Sequence, residues 1–166
     1  MGLSFDPIAK AQENWDVVGW GAGGAMAAAT SITRAHQIVL GRINEALGPF
    51  NLTLSRFEAL ALLSFSKTGQ LPLGKIGERL QVHPASVTNT IDRLETDGFV
   101  RRVPHPDDRR TVLAELTDAG REVTEQAAAA LGEMEFGMQG LTDVQQKSID
   151  TALHDLRQAA GDFDSR

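Results

Sequence analysis

The sequence predicts a mainly α-helical fold with a small β wing. Three observations carry that reading. Apolar residues recur at three- and four-residue spacing, proline and glycine punctuate the runs, and two short β-prone segments flank an arginine-tipped linker. With 166 residues and 42% apolar content, the chain can bury a core of its own.

Taken in order, residues 6–20 bring Pro7, Ile8, Trp15, Val18 and Trp20 onto one short amphipathic helix, which Gly19, Gly21, Gly23 and Gly24 loosen or end. From Met26 to Leu47 the residues Ile32, Ala35, Val39, Ile43 and Leu47 keep helical spacing until Gly48-Pro49 stops them. Ser55 with Glu58 reads as a capping box opening a third helix, with Phe57, Leu60, Ala61 and Phe65 as its stripe and an end near Thr68-Gly69. Pro72 and Leu73 precede a short helix carrying Ile76 and Leu80. Pro84 then suits the first turn of a helix whose stripe is Val87, Ile91 and Leu94, with Gly98 as its C-terminal stop.

Phe99–Val103 and Thr111–Leu116 are strand-like and share the linker PHPDDRR, which reads as a long hairpin tip. Thr117-Asp118 begins another helical region, broken or bent between Gly137 and Gly140. Thr142 with Gln145 caps the last helix, which runs through Ile149, Leu153 and Leu156. This order is a winged helix-turn-helix over 51–118, between N-terminal helices (1–50) and C-terminal helices (119–166). The flanking helices have apolar faces that need a partner, and a homodimer is the economical one, since two copies match two half-sites one helical turn apart.

Composition alone points away from nucleic acid. The net charge is −6, but it is unevenly spread: residues 111–166 hold four basic residues against eleven acids, whereas residues 79–110 hold six arginines against five acids. An acidic tail leaves DNA binding open if the arginines share one face. The absence of cysteine excludes disulfides, thiolate metal sites and thiol redox sensing, and fits a cytoplasmic setting. The chain shows no signal-peptide pattern, and the Gly/Ala-rich stretch from Val17 to Ala29 is too short to span a bilayer, so no membrane partner is expected.

If Val87, Ile91 and Leu94 face the core, the outer face of the first two turns is short and polar, which suits a major groove. Ser86, Thr88 and Asn89 are the candidate base and phosphate contacts there, Asn being able to pair with an adenine edge. Asp92 and Glu95 would repel phosphate, so only the first half of the helix should enter the groove, with those acids paired to a nearby arginine. At the hairpin, Arg109 and Arg110 can reach the minor groove, with Asp107 or Asp108 holding one of them. Of the adjacent Arg101 and Arg102, one should face the duplex; Lys75 and Arg79 add phosphate contacts from the preceding helix. Any one arginine could be an ordinary surface charge, but four lie within residues 99–110.

The segments LTLSRFEALALL, LPLGKIGERLQVHPASVTNTIDRLETDGFVRR, the DDRR tip and LTDAG resemble the MarR family of dimeric winged-helix transcription regulators. The resemblance covers residues 32–120. It implies a homodimer on a pseudopalindromic double-stranded DNA operator, acting as a repressor that a small, often anionic aromatic ligand releases. The extra N-terminal helix resembles a subgroup responsive to urate or related aromatic acids. There a Trp on the added helix, an acid before the helix-turn-helix and arginines near the recognition helix cooperate. By that resemblance Trp15 or Trp20, Glu58 and Arg93 are candidate ligand residues, although the subgroup's acid is Asp where this chain has Glu58. His36, beside Arg34 on the long helix, can line the same cavity. Independently, a Trp beside a cationic group suits a planar anion; the alternative is that Trp15 packs on the helix from Met26 to Leu47.

His83 and His105 flank the groove-facing elements and suit phosphate contact or turn capping. Four histidines without paired spacing give no metal site, and no cofactor is expected. With no serine elbow or phosphate loop, catalysis is not expected. The alternative function is a protein-interaction or structural winged helix without specific DNA binding.

Overall fold

The computed structural model describes residues 2–108 and 110–164. Helix α1 (Pro7–Val18) starts on an Asp6 carboxylate that accepts from the Ile8 and Ala9 amides, and ends at Gly19 in the left-handed conformation. Helix α2 (Gly23–Leu47) begins three residues earlier than the periodicity placed it and runs into a 3-10 turn at Gly48–Phe50. Helix α3 (Leu54–Ser64) follows, then strand β1 (Gln70–Pro72), helix α4 (Leu73–Leu80) and helix α5 (Pro84–Thr96). Strands β2 (Val100–Pro104) and β3 (Val112–Leu116) make the wing, and helices α6 (Asp118–Glu133) and α7 (Asp143–Ala159) complete the chain.

Two local expectations are corrected. The Ser55–Glu58 capping box does not form: α3 starts at Leu54, whose amide donates to Asn44 Oδ1 at 2.9 Å, and Thr53 spends its hydroxyl on Ser55. A side chain from the preceding helix thus does the capping, which local sequence cannot reveal. The third helix also ends at Ser64, short of the Thr68-Gly69 signal. By contrast, the Thr142–Gln145 box is complete, and α6 and α7 are separated at Glu135–Gly137 as the glycines suggest.

The wing is a three-stranded antiparallel sheet in the order β1-β3-β2, not a lone hairpin. Strand β1 pairs Leu71 with Ala114, and β2 pairs Arg101 with Glu115 and Arg102 with Ala114. Pro72 is tolerated because β1 is an edge strand. Beneath the sheet lies one core of Leu47, Leu60, Leu63, Ile76, Ile91, Leu94, Val100 and Leu131, all essentially inaccessible to solvent. The stripe Val87, Ile91 and Leu94 is buried as its spacing requires, so α5 has its opposite face in solvent. At its C-terminus, the Phe99 and Gly98 amides return to the Leu94 and Glu95 carbonyls, a Schellman closure with Gly98 at φ 77°.

The motif LTDAG locks the sheet to α6. Thr117 donates its hydroxyl to the Gly98 carbonyl at 2.8 Å and accepts from the Gly120 amide at 3.0 Å, while its own amide reaches the Phe99 carbonyl. A Cβ at Gly120 would stand 2.0 Å from the Phe99 oxygen, so only glycine allows this approach.

Among the described residues, α1 and α7 bury none within the protomer, and α2 buries only its start and its C-terminal part, leaving Ile32 exposed. These are the faces expected to meet a second copy. No helix of the described residues is long and apolar enough to cross a membrane. Gly120→Ala is expected to cost about 3 kcal/mol or more, read as a lower urea midpoint; an unchanged midpoint would contradict the close approach.

Candidate nucleic-acid interface

Helix α5 enters on Pro84, with His83 as its cap: Nδ1 of His83 accepts from the Ala85 amide at 3.2 Å. His105 plays the same part in the wing turn, accepting from the Asp107 amide. The capping reading of both histidines therefore holds. Ser86, Thr88 and Asn89 lie exposed on the first two turns of α5, as predicted, and the Thr88 hydroxyl also donates to the Pro84 carbonyl at 3.1 Å.

Farther along α5, the two repulsive acids share one arginine of the wing, which offsets half of their charge. Arg102 reaches Asp92 at 2.6 Å and Glu95 at 2.5 Å, and its backbone amide donates to Glu95 at 2.9 Å. That amide, then the guanidinium, holds the Glu95 carboxyl below its ordinary range. Arg102 is therefore the residue that fixes the wing to the recognition helix, although sequence reading left open which arginine would do so. The i, i+3 spacing of Asp92 and Glu95 was the available signal.

Arg101 points to the other face of the sheet, where it pairs with Glu115, which Gln70 on β1 also contacts at 3.0 Å. Lys75 pairs with Glu78 at 2.8 Å, while Arg79 is exposed on the same helix. Lys75 and Arg101 keep their head groups in solvent, where such pairs are weak and screened by salt, so a phosphate can compete with either carboxylate. In the wing, Asp108 accepts from the Arg110 backbone amide at 2.9 Å and the Thr111 hydroxyl at 2.7 Å. It thus shapes the turn; the expected clamp on an arginine head group is not made to Arg110, whose side chain is exposed. Arg109 lies outside the described residues.

The candidate ligand residues separate into two places. Glu58 lines a cleft of about 260 Å³ among α3, α4 and α5 with Ser55, Ser86, Asn89 and Thr90, and burial pushes its carboxyl up. Arg93 lines an adjoining cleft of about 470 Å³ that shares Ser55, Asn89 and Thr90 and adds Arg56. Arg56, which sequence reading missed, also stands 3.6 Å from Asp97 at the end of α5. Trp15 and Trp20 sit on the α1–α2 hairpin, edge to face at 4.9 Å, with Trp15 Nε1 donating to the Gly21 carbonyl at 2.7 Å. Trp15 thus closes its own hairpin, and Trp20 is 67% exposed. His36 is exposed on α2. Among the described residues, no group of three or more His, Asp or Glu is placed to hold a metal ion.

The depressed Glu95 carboxyl gives a pH test. Its contribution is present above the ordinary value of 4.5 and is lost as pH falls through the lower folded value. Glu95→Gln should therefore lower stability by about 0.5–1 kcal/mol at neutral pH and converge with the parent protein in acid. Parallel urea-midpoint curves from pH 7 to 3 would contradict the pairing.

Comparison with known proteins places this geometry. The MarR family profile matches residues 52–112, the span from α3 to the start of β3. The regulator YhbI of Bacillus subtilis is 35% identical over 115 residues, covering 69% of this chain and 70% of its own length. The multiple antibiotic resistance protein MarR of Escherichia coli is 32% identical over 91 residues, covering 55% of this chain and 62% of that protein. A variant of MarR from Escherichia coli, solved in complex with operator DNA, superposes with a TM-score of 0.69 at 26% identity, over 77% of this chain and 91% of that one. Sco5413, a MarR family transcriptional regulator from Streptomyces coelicolor, superposes with a TM-score of 0.79 over 87% of this chain and 100% of its own, at 50% identity. Regulators of this class are not enzymes. A wing locked to its recognition helix, and half the residues shared across the whole of Sco5413, lead to one conclusion: the chain belongs to the MarR family of transcriptional regulators.

Proposed function

We propose that the chain is a sequence-specific DNA-binding repressor that acts as a cytoplasmic homodimer on a pseudopalindromic double-stranded operator. The observation that carries this reading is the division of α5. Its first two turns offer Ser86, Thr88 and Asn89 to solvent, while Asp92 and Glu95 farther along are turned onto Arg102, which offsets half of their charge and weakens their repulsion of a phosphate backbone. Arg110 and Arg79 supply exposed positive charge on either side, and Lys75 and Arg101 add to it once phosphate displaces their carboxylates. The solved complex of the MarR relative with operator DNA supports the same use of this fold.

In this proposal residues 51–118 read DNA, and residues 1–50 and 119–166 supply the dimer, whose partner covers the faces of α1, α2 and α7 that the protomer leaves open. The proposal extends to a small aromatic anion as releasing ligand. The adjoining clefts at Glu58 and Arg93 are walled by Asn89 and Ser86, so an occupant there would compete for the base-reading side chains themselves. In the dimer, Trp15, Trp20 and His36 would complete that site. A ligand acts this way only if it binds the DNA-free conformation better than the bound one.

Titrations on an operator recovered by selection, run across a salt series, test the reading. Asn89→Ala should lose about tenfold in discrimination between operator and random duplex. Arg110→Ala should weaken both alike and reduce the salt slope by about one. Urate added to the parent protein should weaken operator binding, and Arg93→Ala should blunt that response. Unchanged DNA binding in both of the first two variants would overturn the assignment.

A further inference from the structure

Helix α7 buries no residue along its length, yet it is tied down at both ends. At its start, Gln146 donates to Glu135 and to the Leu141 carbonyl, both at 3.3 Å. The turn that carries Glu135 is in turn held to α2, where Arg42 donates to the Gly137 carbonyl at 2.6 Å. At its end the chain reverses at Gly161, with φ 72°, so that the next two residues fold back along the helix. Asp162 accepts from Arg157 Nε at 2.7 Å, and the Phe163 ring lies 5.2 Å from the Arg157 guanidinium and 5.0 Å from the His154 ring. The last turn of α7 is therefore a small folded cap with its own cation–π and ion-pair contacts.

The outer edge of this cap meets the turn of the helix-turn-helix. Gln81, the C-terminal cap of α4 in the left-handed conformation, donates from Nε2 to the Asp162 carbonyl at 3.2 Å and to Asp162 Oδ1 at 3.0 Å. Gln81 is the first of the three residues that separate α4 from α5, so this one amide joins the α7 terminus to the turn that aims the recognition helix. A positive φ at a residue other than glycine carries a steric cost, and a side-chain anchor to a distant segment is one way to hold it.

We infer that residues 154–163 form a latch, in which the folded-back end of α7 grips Gln81 and makes the aim of the recognition helix depend on how α7 is seated. A continuous helix held at both ends transmits displacement of one end to the other. Whatever repositions α7 in the dimer, a second copy or a bound ligand, would then pull on the α4–α5 turn of its own chain without touching α5. The inference goes beyond the DNA-binding reading and does not require it, because its readout is the protection of the two segments.

The test is reciprocal hydrogen–deuterium exchange on the full chain. Gln81→Glu sets a carboxylate against Asp162 and should speed exchange in residues 154–163 by about three- to tenfold. Asp162→Ala removes the side-chain acceptor and should speed exchange in residues 81–86 by a similar factor, with α3 unchanged as an internal control. Each variant is read at the opposite segment, where a purely local effect on α4 or on the α7 terminus would not register. If either variant leaves the opposite segment unchanged, the latch is refuted.

Discussion

The close approach of Gly120 to the Phe99 carbonyl is the constraint on which the DNA-facing geometry rests. At that point three elements meet: the Schellman end of α5, the start of β2 and the first turn of α6. Thr117 binds the Gly98 carbonyl with its hydroxyl and the Phe99 carbonyl with its amide, and so closes the junction with short-range hydrogen bonds. Because α6 begins there, the direction of the recognition helix is set relative to the helices left open for a partner. In a symmetric dimer the relative placement of two recognition helices follows from this junction together with the dimer interface.

Charge is handled locally, not globally. The chain carries a net −6, yet the acids on α5 that would oppose DNA are both held by Arg102, and the excess of acids lies in the C-terminal third. A charge more than about 8–10 Å away is largely screened at physiological salt, so the distant acids weigh less than the groups beside the groove. Arg102 thereby serves two ends, offsetting half of the charge of Asp92 and Glu95 and joining the wing to the second half of α5.

What was legible in the sequence was whatever depends on local periodicity or on a short motif. The stripe Val87, Ile91 and Leu94 set which face of α5 is buried, and so which side chains face out. The Thr142–Gln145 box was equally plain, since both partners lie within one turn. Strand β1 was hidden because three residues ending in Pro72 carry no alternation of their own and form a strand only through β3. The Ser55–Glu58 box misled for a related reason: the helix starts at Leu54, which puts Ser55 inside its first turn, and Asn44, ten residues before Leu54, takes the Leu54 amide. The turn-shaping part of Asp108 was missed because its partners are a backbone amide and the Thr111 hydroxyl, which charge pairing alone does not point to. The contact of Gln81 with Asp162 spans 81 residues and leaves no trace in spacing or composition.

In the proposed dimer, two copies of this chain present the first halves of their recognition helices to successive turns of one duplex. Selection of the purified protein against a library of randomised duplexes tests it most directly. The expected result is enrichment of two inverted half-sites with centres about one helical turn apart, roughly 10 base pairs. Recovery of sequences with no two-fold symmetry, or no enrichment over the starting library, would contradict it.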